Sequence, residues 1–263
     1  MLKLQKTMLQ LFKALRLQKL KESKIKKYLL YALGEIILVV IGILIALAIN
    51  NNNIKRTIQK KEQTYLVGLM DEFTTSKLKL QELINVNKNN YEGARQIISY
   101  VSNSKIQPDE EQFSLLLYNT FVFDVSFNPN NSLLNEMMNS GSLKDISNPT
   151  LRIHLTNWIS TMEDIAKQEN DLEQQREKIL DLFRGNTQSI RTIFDLAGVS
   201  ANELDIEPLP KNISNLNLLH STQFENLLFT FILTSKATEE AHYLPLMKRI
   251  DAILELIEKE IKS

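Results

Sequence analysis

Residues 148–183 read NPTLRIHLTNWISTMEDIAKQENDLEQQREKILDLF, and this stretch decides the fold. Apolar side chains stand at Leu151, Leu155, Trp158, Met162, Ile165, Leu172, Ile179 and Phe183, with Glu169 and Arg176 in the two remaining slots. Every step along that series is three or four residues, the repeat of one helical face, and predicts a helix of about thirty-five residues. Asn148 and Pro149 suit its start, since an Asn side chain caps orphan N–H groups and proline fits the first helical position.

Toward the N-terminus, Ser132 to Asn139 predicts a short helix stopped by Gly141. The run FVFDVSF (121–127) alone has β character, and it is too isolated to form a sheet. Pro108-Asp109-Glu110-Glu111 predicts a helix opening, with acids at the positive end of the dipole and a run to about Asn119. Asn103 to Pro108 reads as a loop. Ile54, Ile58, Tyr65, Leu69, Phe73, Leu80 and Ile84 form a heptad-like stripe, and the polar stretch Asn85–Asn90 is expected to interrupt it before Tyr91, Ala94, Ile97, Ile98 and Val101. Toward the C-terminus, residues 185–218 read as a connector with one short helix near Ile190–Ala197. The stripe then returns at Phe224, Leu228, Phe231, Ser235, Thr238 and His242. It shifts phase at Pro245 before Ile250, Ile253, Ile257 and Ile261, which predicts a bend at 243–245. Long helices with short connections pack as an antiparallel bundle, and burial of one Leu-sized side chain contributes roughly 1.5–3 kcal/mol toward the ordering entropy.

Composition narrows the function. The 263 residues carry 31 Lys+Arg and 31 Asp+Glu, so nothing marks a nucleic-acid binder. The neutrality hides two ends: residues 1–49 hold nine basic and two acidic residues (net +7), and the remainder has net charge −7. There is no Cys, hence no disulfide framework and no thiolate metal site.

Tyr28 to Ile49 reads YLLYALGEIILVVIGILIALAI, with Glu35 its one charge. As a helix this run is about 33 Å long, matching a hydrocarbon core of roughly 30 Å. The alternative is a cleaved signal peptide, supported by the triplet Ala46-Leu47-Ala48. The apolar run and its leader are both too long for that reading. Basic residues crowd the N-terminal flank, and only Lys55, Arg56, Lys60 and Lys61 follow closely, so the expected N-terminus is cytoplasmic. Leu4, Met8, Leu11, Phe12 and Leu15 lie at helical spacing among Lys and Arg, a basic amphipathic segment suited to an anionic leaflet.

The run Lys27–Leu47, closed by Ile49-Asn50-Asn51 and keeping the Gly34-Glu35 pair, closely resembles the signature of a family of uncharacterised single-span membrane proteins of Gram-negative bacteria. A second block is also similar to that family: Phe127, Pro129, Leu134, Ser140-Gly141, Leu143, Ile146, Asn148 and Leu151-Arg152. Members usually carry Gln where this chain has Ala48 and Trp where it has Asn52. The resemblance implies an inner-membrane anchor with a periplasmic remainder and brings no catalytic residue.

Within the span, Gly42 is seven residues after Glu35, and Ala46 four further, so the carboxylate and a small-xxx-small pair share one face. An ionised Glu35 about 10 Å into the helix costs roughly 2–3 kcal/mol on insertion scales. Three readings stand: an idle protonated or snorkelling side chain, a contact with a second transmembrane helix, or a stator-like, proton-coupled role in a membrane complex. Catalysis finds little support, because no metalloprotease motif, phosphate loop or Cys nucleophile is present. His154, His220 and His242 lack ligand spacing, and Trp158 and Tyr91 read as core residues. An envelope enzyme is the minor alternative.

The expected architecture is therefore all-α. Residues 1–27 form a basic cytoplasmic segment, 28–49 a transmembrane helix and 50–263 a periplasmic antiparallel helical bundle. Its partners are the lipid bilayer and a protein partner or second copy met through Glu35, Gly42 and Ala46. No nucleic acid, cofactor or metal is expected.

Overall fold

The computed structural model describes residues 24–102 and 107–262, and among them every regular element is helical. The basic amphipathic segment before Ser23 and most of the loop from Asn103 lie outside the described residues. Helix α1 is Lys24–Ser102, α2 Glu110–Phe121, α3 Ser132–Asn139, α4 Pro149–Leu180, α5 Ile190–Leu196, α6 Val199–Asn202, α7 Thr222–Thr238 and α8 Leu244–Lys262. Single 3-10 turns follow α3 and α4 and precede α7, and a π-helical turn, Glu239–Tyr243, joins α7 to α8. The chain divides into two compact units, Met1–Lys60 and Lys61–Ser263.

The described part of the first unit is helix, and its apolar run is exposed along its length, from Tyr28 and Leu29 to Leu47 and Ile49. This helix is long and apolar enough to cross a membrane.

In the second unit, side-chain pairs reveal four rods in alternating directions. The α1 residues Glu62, Phe73 and Asn87 meet Ser147, Trp158 and Ser235 in turn. Descending along α1, Gly93 abuts Thr120, Asn90 bonds Phe123, Ser76 bonds Asn130, Glu72 bonds Leu133 and Glu62 bonds Ser147. The stretch from α2 to α3 thus runs back along α1, α4 runs out again, and α7–α8 returns, since Thr161, Glu169 and Asn148 meet Arg249, Tyr243 and Glu260. The antiparallel order of an up-and-down bundle holds, but the second rod is a helix only at its two ends.

Why that rod breaks is a question of backbone hydrogen bonds, because a buried N–H or C=O must find a partner. Between Val122 and Asn131 the neighbouring helices supply them. Arg176 donates Nε to the Phe121 carbonyl at 2.8 Å and Nη2 to that of Val122 at 3.3 Å. Glu169 accepts from the Phe127 N–H at 2.9 Å, and Lys79 donates to the Asn128 carbonyl at 3.0 Å. Of the run FVFDVSF, Phe121 ends α2 and residues 122–127 are accordingly an irregular strap running along α1.

Local chemistry explains the helix ends. Asp109 and Gln112 form a capping box at the start of α2, and the Asn148 side chain accepts from Leu151 N–H at the start of α4. At α3 the cap is supplied from elsewhere: Asn131 gives its amide oxygen to Trp158 Nε1 at 2.9 Å, and Glu72 of α1 accepts the Leu133 and Leu134 N–H groups at 2.6 and 3.2 Å. Gly141, at φ 68°, stops α3 in the left-handed region where glycine carries no steric penalty.

Three expectations change. The connector 185–218, read with one short helix, holds a second, Val199–Asn202, which Gly198 sets off by its left-handed turn at φ 78°. Helix α1 runs unbroken through Asn85–Asn90, because Asn87 and Asn90 fill inward slots and bond outward from their own helix. Asn87 Nδ2 donates to the Ser235 carbonyl at 3.0 Å and Asn90 Nδ2 to the Phe123 carbonyl at 3.1 Å. Buried amides with such partners do not end a helix. The break near Pro245 is the π turn, whose Leu244 N–H bonds the Glu239 carbonyl five residues back. The extra residue rotates the stripe by one place, so Tyr243, fully buried, takes the inward slot expected of His242. The core then continues through Leu246, Ile250, Ile253 and Ile257.

At Gly93, α1 packs closely against Thr120 of α2. A Cβ there would lie 2.2 Å from Thr120 Oγ1 and 3.2 Å from its Cβ, and a β-branched neighbour is stiff. Gly93→Ala is expected to destabilise the second unit by roughly 1–3 kcal/mol in urea unfolding, with partial recovery when Thr120 is also Ala. A Cβ at Gly68 meets only the Leu133 side-chain tip, which can turn away, so Gly68→Ala is expected to cost less than half as much.

Candidate functional site

Glu35, Gly42 and Ala46 all lie on α1, and a 100° turn per residue puts the three within about 20° of one line. All three are exposed, and a Cβ at Gly42 would meet no atom within 4 Å. Nothing else among the described residues of this chain covers that face.

The second unit concentrates its chemistry in carboxylates that accept backbone N–H groups. Besides Glu72, Glu62 is 7% exposed and takes the Ser147 N–H. Glu110 takes the Asn215 N–H at 2.9 Å, and Asp195 that of Leu209 at 3.0 Å. Glu169, as buried as Glu62, stands in the polar slot of the α4 stripe, where Oε1 accepts from Phe127 N–H at 2.9 Å and Tyr243 O–H at 2.7 Å. Burial pushes the Glu169 carboxyl above its ordinary value, its two hydrogen bonds pull the other way, and Asp124 adds to the rise. Burial and then the Glu169 carboxylate push the Tyr243 phenol up, so it stays a donor. This arrangement is a structural clamp between α4, the strap and the π turn.

His154 and His242 are part-buried and His220 exposed, and no group of three metal-ligating His, Cys, Asp or Glu side chains occurs among the described residues. Trp158 is fully buried against Phe73, ring centroids 5.0 Å apart, and Tyr91 is 5% exposed. Among the acids from Glu163 to Glu177, Glu163, Asp164, Asp171 and Glu173 are exposed, Glu177 is part-buried and Glu169 is buried.

One open groove of about 810 Å³ lies between the α1 turns at 86–96 and the end of α2, lined by Asn89, Asn90, Gly93, Gln96, Asn119 and Phe123 among others. Sequence reasoning passed over it, reading Asn85–Asn90 as an interruption. The signal available was the pairing of Asn89-Asn90 with Gly93, a small residue one turn on from two amides.

Among the described residues every regular element is helical, one exposed apolar helix has membrane-spanning length, and a strap is held by carboxylates, and these observations define the class. The chain belongs to the DUF6090 family, a family of unknown function, whose model matches residues 35–196. That region begins at Glu35 and takes in the strap and the second resembling block. Within the block Leu134, Ile146 and Leu151 are fully buried, Gly141 makes the left-handed turn and Asn148 caps α4. No curated protein and no solved structure matches the chain.

Proposed function

We propose that this protein is a single-pass inner-membrane protein of Gram-negative bacteria, anchored by residues 28–49 with its N-terminus in the cytoplasm. Residues 50–263 form a periplasmic, non-enzymatic module that recognises a partner. The observation that carries the reading is the twenty-two-residue apolar helix bearing a single carboxylate, exposed on all sides. Charge asymmetry across it supports the orientation. The compact second unit supports recognition rather than catalysis, since Glu62, Glu72 and Glu169 are spent on backbone N–H groups. Crosslinking in native membranes followed by pull-down tests it: a discrete crosslinked species containing this chain is expected, and a purely monomeric chain contradicts it. A mature N-terminus at Ile49 would replace the anchor by a signal peptide.

The face of Glu35, Gly42 and Ala46 meets another transmembrane helix in this reading, because small residues allow close backbone approach and a carboxyl finds a hydrogen bond there. Gly42→Leu is expected to weaken association of the span in a membrane dimerisation reporter, while Val40→Leu, about 160° around the helix, leaves it unchanged. Equal behaviour of the two variants removes the contact. A stator-like, proton-coupled subunit is the second reading, favoured only by the placement of Glu35. Glu35→Gln distinguishes the two, since a packing contact survives the loss of charge and proton carriage does not.

A further inference from the structure

The groove between α1 and α2 has more chemistry than the fold requires. Asn90, only 1% exposed, donates Nδ2 to the Phe123 carbonyl and so fixes that residue at the rim, while its Oδ1 accepts no hydrogen bond among the described residues. Asn89 and Asn119, both exposed, line the same groove, and neither side chain bonds to the described residues. Phe123 is 60% exposed, an aromatic ring left in water although its backbone is tied down. The groove's two charges cancel locally, since Arg95 Nη1 donates to both carboxylate oxygens of Glu92 at 2.9 and 3.2 Å.

These features restrict the ligand. A carboxamide supplies both donors and an acceptor, so unpaired amides suit a ligand carrying both along its edges. With the charges neutralised, an anionic or cationic ligand gains no field here. The exposed ring calls for an apolar face on the same molecule, for a stacked contact. The common peptide modes need a sheet edge, an apolar stripe for a helix, an aromatic-walled channel for polyproline or a basic cluster, and this groove has none of them. A pyranose ring with hydroxyl-bearing edges, an apolar C–H face and a neutral acetamido group meets every condition.

We infer that the groove between α1 and α2 is a binding site for a neutral N-acetylated saccharide, its acetamido and hydroxyl groups bonded by Asn89, Asn119 and Asn90 Oδ1 and its ring face stacked on Phe123. The span from Val86 to Gln96 is about 15 Å along α1, room for a short oligosaccharide rather than a single ring. This deepens the reading of the second unit as a recognition module by naming a ligand class. It rests on that reading for the ligand's setting alone, because binding in solution is independent of topology.

The test uses the full chain in a zwitterionic detergent without a sugar headgroup, titrated calorimetrically with tri-N-acetylchitotriose. Saturable binding at one site is expected. Asn89→Ala with Asn119→Ala is expected to weaken it at least tenfold, Phe123→Ala several-fold, and Asn157→Ala, an exposed amide on α4, not at all. Unchanged helicity and unfolding midpoint show that the groove variants fold, as their exposed positions predict. The de-acetylated chitotriose is expected to bind at least tenfold more weakly. Absence of saturable binding, indifference to the Asn89/Asn119 pair, or equal affinity for the de-acetylated sugar overturns the assignment. Displacement of the sugar by an uncharged Gly-Ser-Asn repeat peptide of higher affinity overturns it in favour of a peptide groove. Each failure leaves the crosslinking result of the previous section intact.

Discussion

Trp158→Ala is expected to remove about 4 kcal/mol from the stability of the second unit, the largest loss of any single truncation in it. The indole is fully buried, meets Phe73 edge-on at 5.0 Å and donates Nε1 to Asn131 Oδ1. Truncation opens a cavity and also strands the Asn131 oxygen, which the Glu72 cap leaves with no other task. Because Trp158 joins α4 to α1 and to the entry of α3, the loss extends through three rods. For a unit of this size about 4 kcal/mol corresponds to a melting shift of roughly 8–16 °C, readable by circular dichroism on the full chain in detergent. Trp158→Phe keeps the ring contact and loses the hydrogen bond, so it is expected to cost less than half as much. A shift under about 3 °C for the alanine variant would mean that the rods do not meet at Trp158.

The second large effect concerns Glu169, and the part of it due to charge has a size that depends on pH. Glu169→Leu leaves the Phe127 N–H and the Tyr243 O–H unpaired inside the bundle and is expected to cost about 3 kcal/mol. Glu169→Gln keeps an acceptor for both donors and removes only the charge. Since burial raises the folded-state value above the unfolded one, the ionised carboxylate is a penalty at neutral pH. That penalty disappears as pH falls toward the ordinary glutamate value, about 4.3. The Gln variant is therefore expected to be at least as stable as the parent at pH 7.5, with the difference shrinking to nothing in mild acid. Urea unfolding followed through Trp158, the sole tryptophan, measures this directly. A Gln variant that is less stable at pH 7.5 and gains nothing from alkali would show that the charge itself is stabilising.

The elements legible in the sequence were those in which the local signal and the tertiary role coincide. The α4 stripe, its Asn148-Pro149 start, the Gly141 stop and the Asp109 opening are each determined within a few residues, and the fold uses them as read. Elsewhere the deciding partner lies far away in sequence. Asn87 and Asn90 resemble a helix break until Ser235 and Phe123 are placed opposite them. His242 fits the stripe by counting, and only the extra residue of the π turn moves Tyr243 into its place. Glu62 and Glu72 look like ordinary surface acids, yet their partners are backbone N–H groups of residues 61 to 85 positions away. The face of Glu35, Gly42 and Ala46 was fully legible as a helical alignment, and the groove was not, because its two walls come from helices that sequence spacing alone does not bring together.

The central claim, an anchored chain with its second unit outside the inner membrane, is tested most directly by thiol labelling, since the chain has no Cys and one introduced thiol is its sole label site. Asn157→Cys, exposed on α4, and Thr7→Cys in the basic segment are compared in cells whose outer membrane has been opened and whose inner membrane is intact, using a membrane-impermeant maleimide. Labelling of Cys introduced at 157, with the one at 7 protected until the inner membrane is lysed, is the predicted result. Labelling at 7 with protection at 157 would contradict the account.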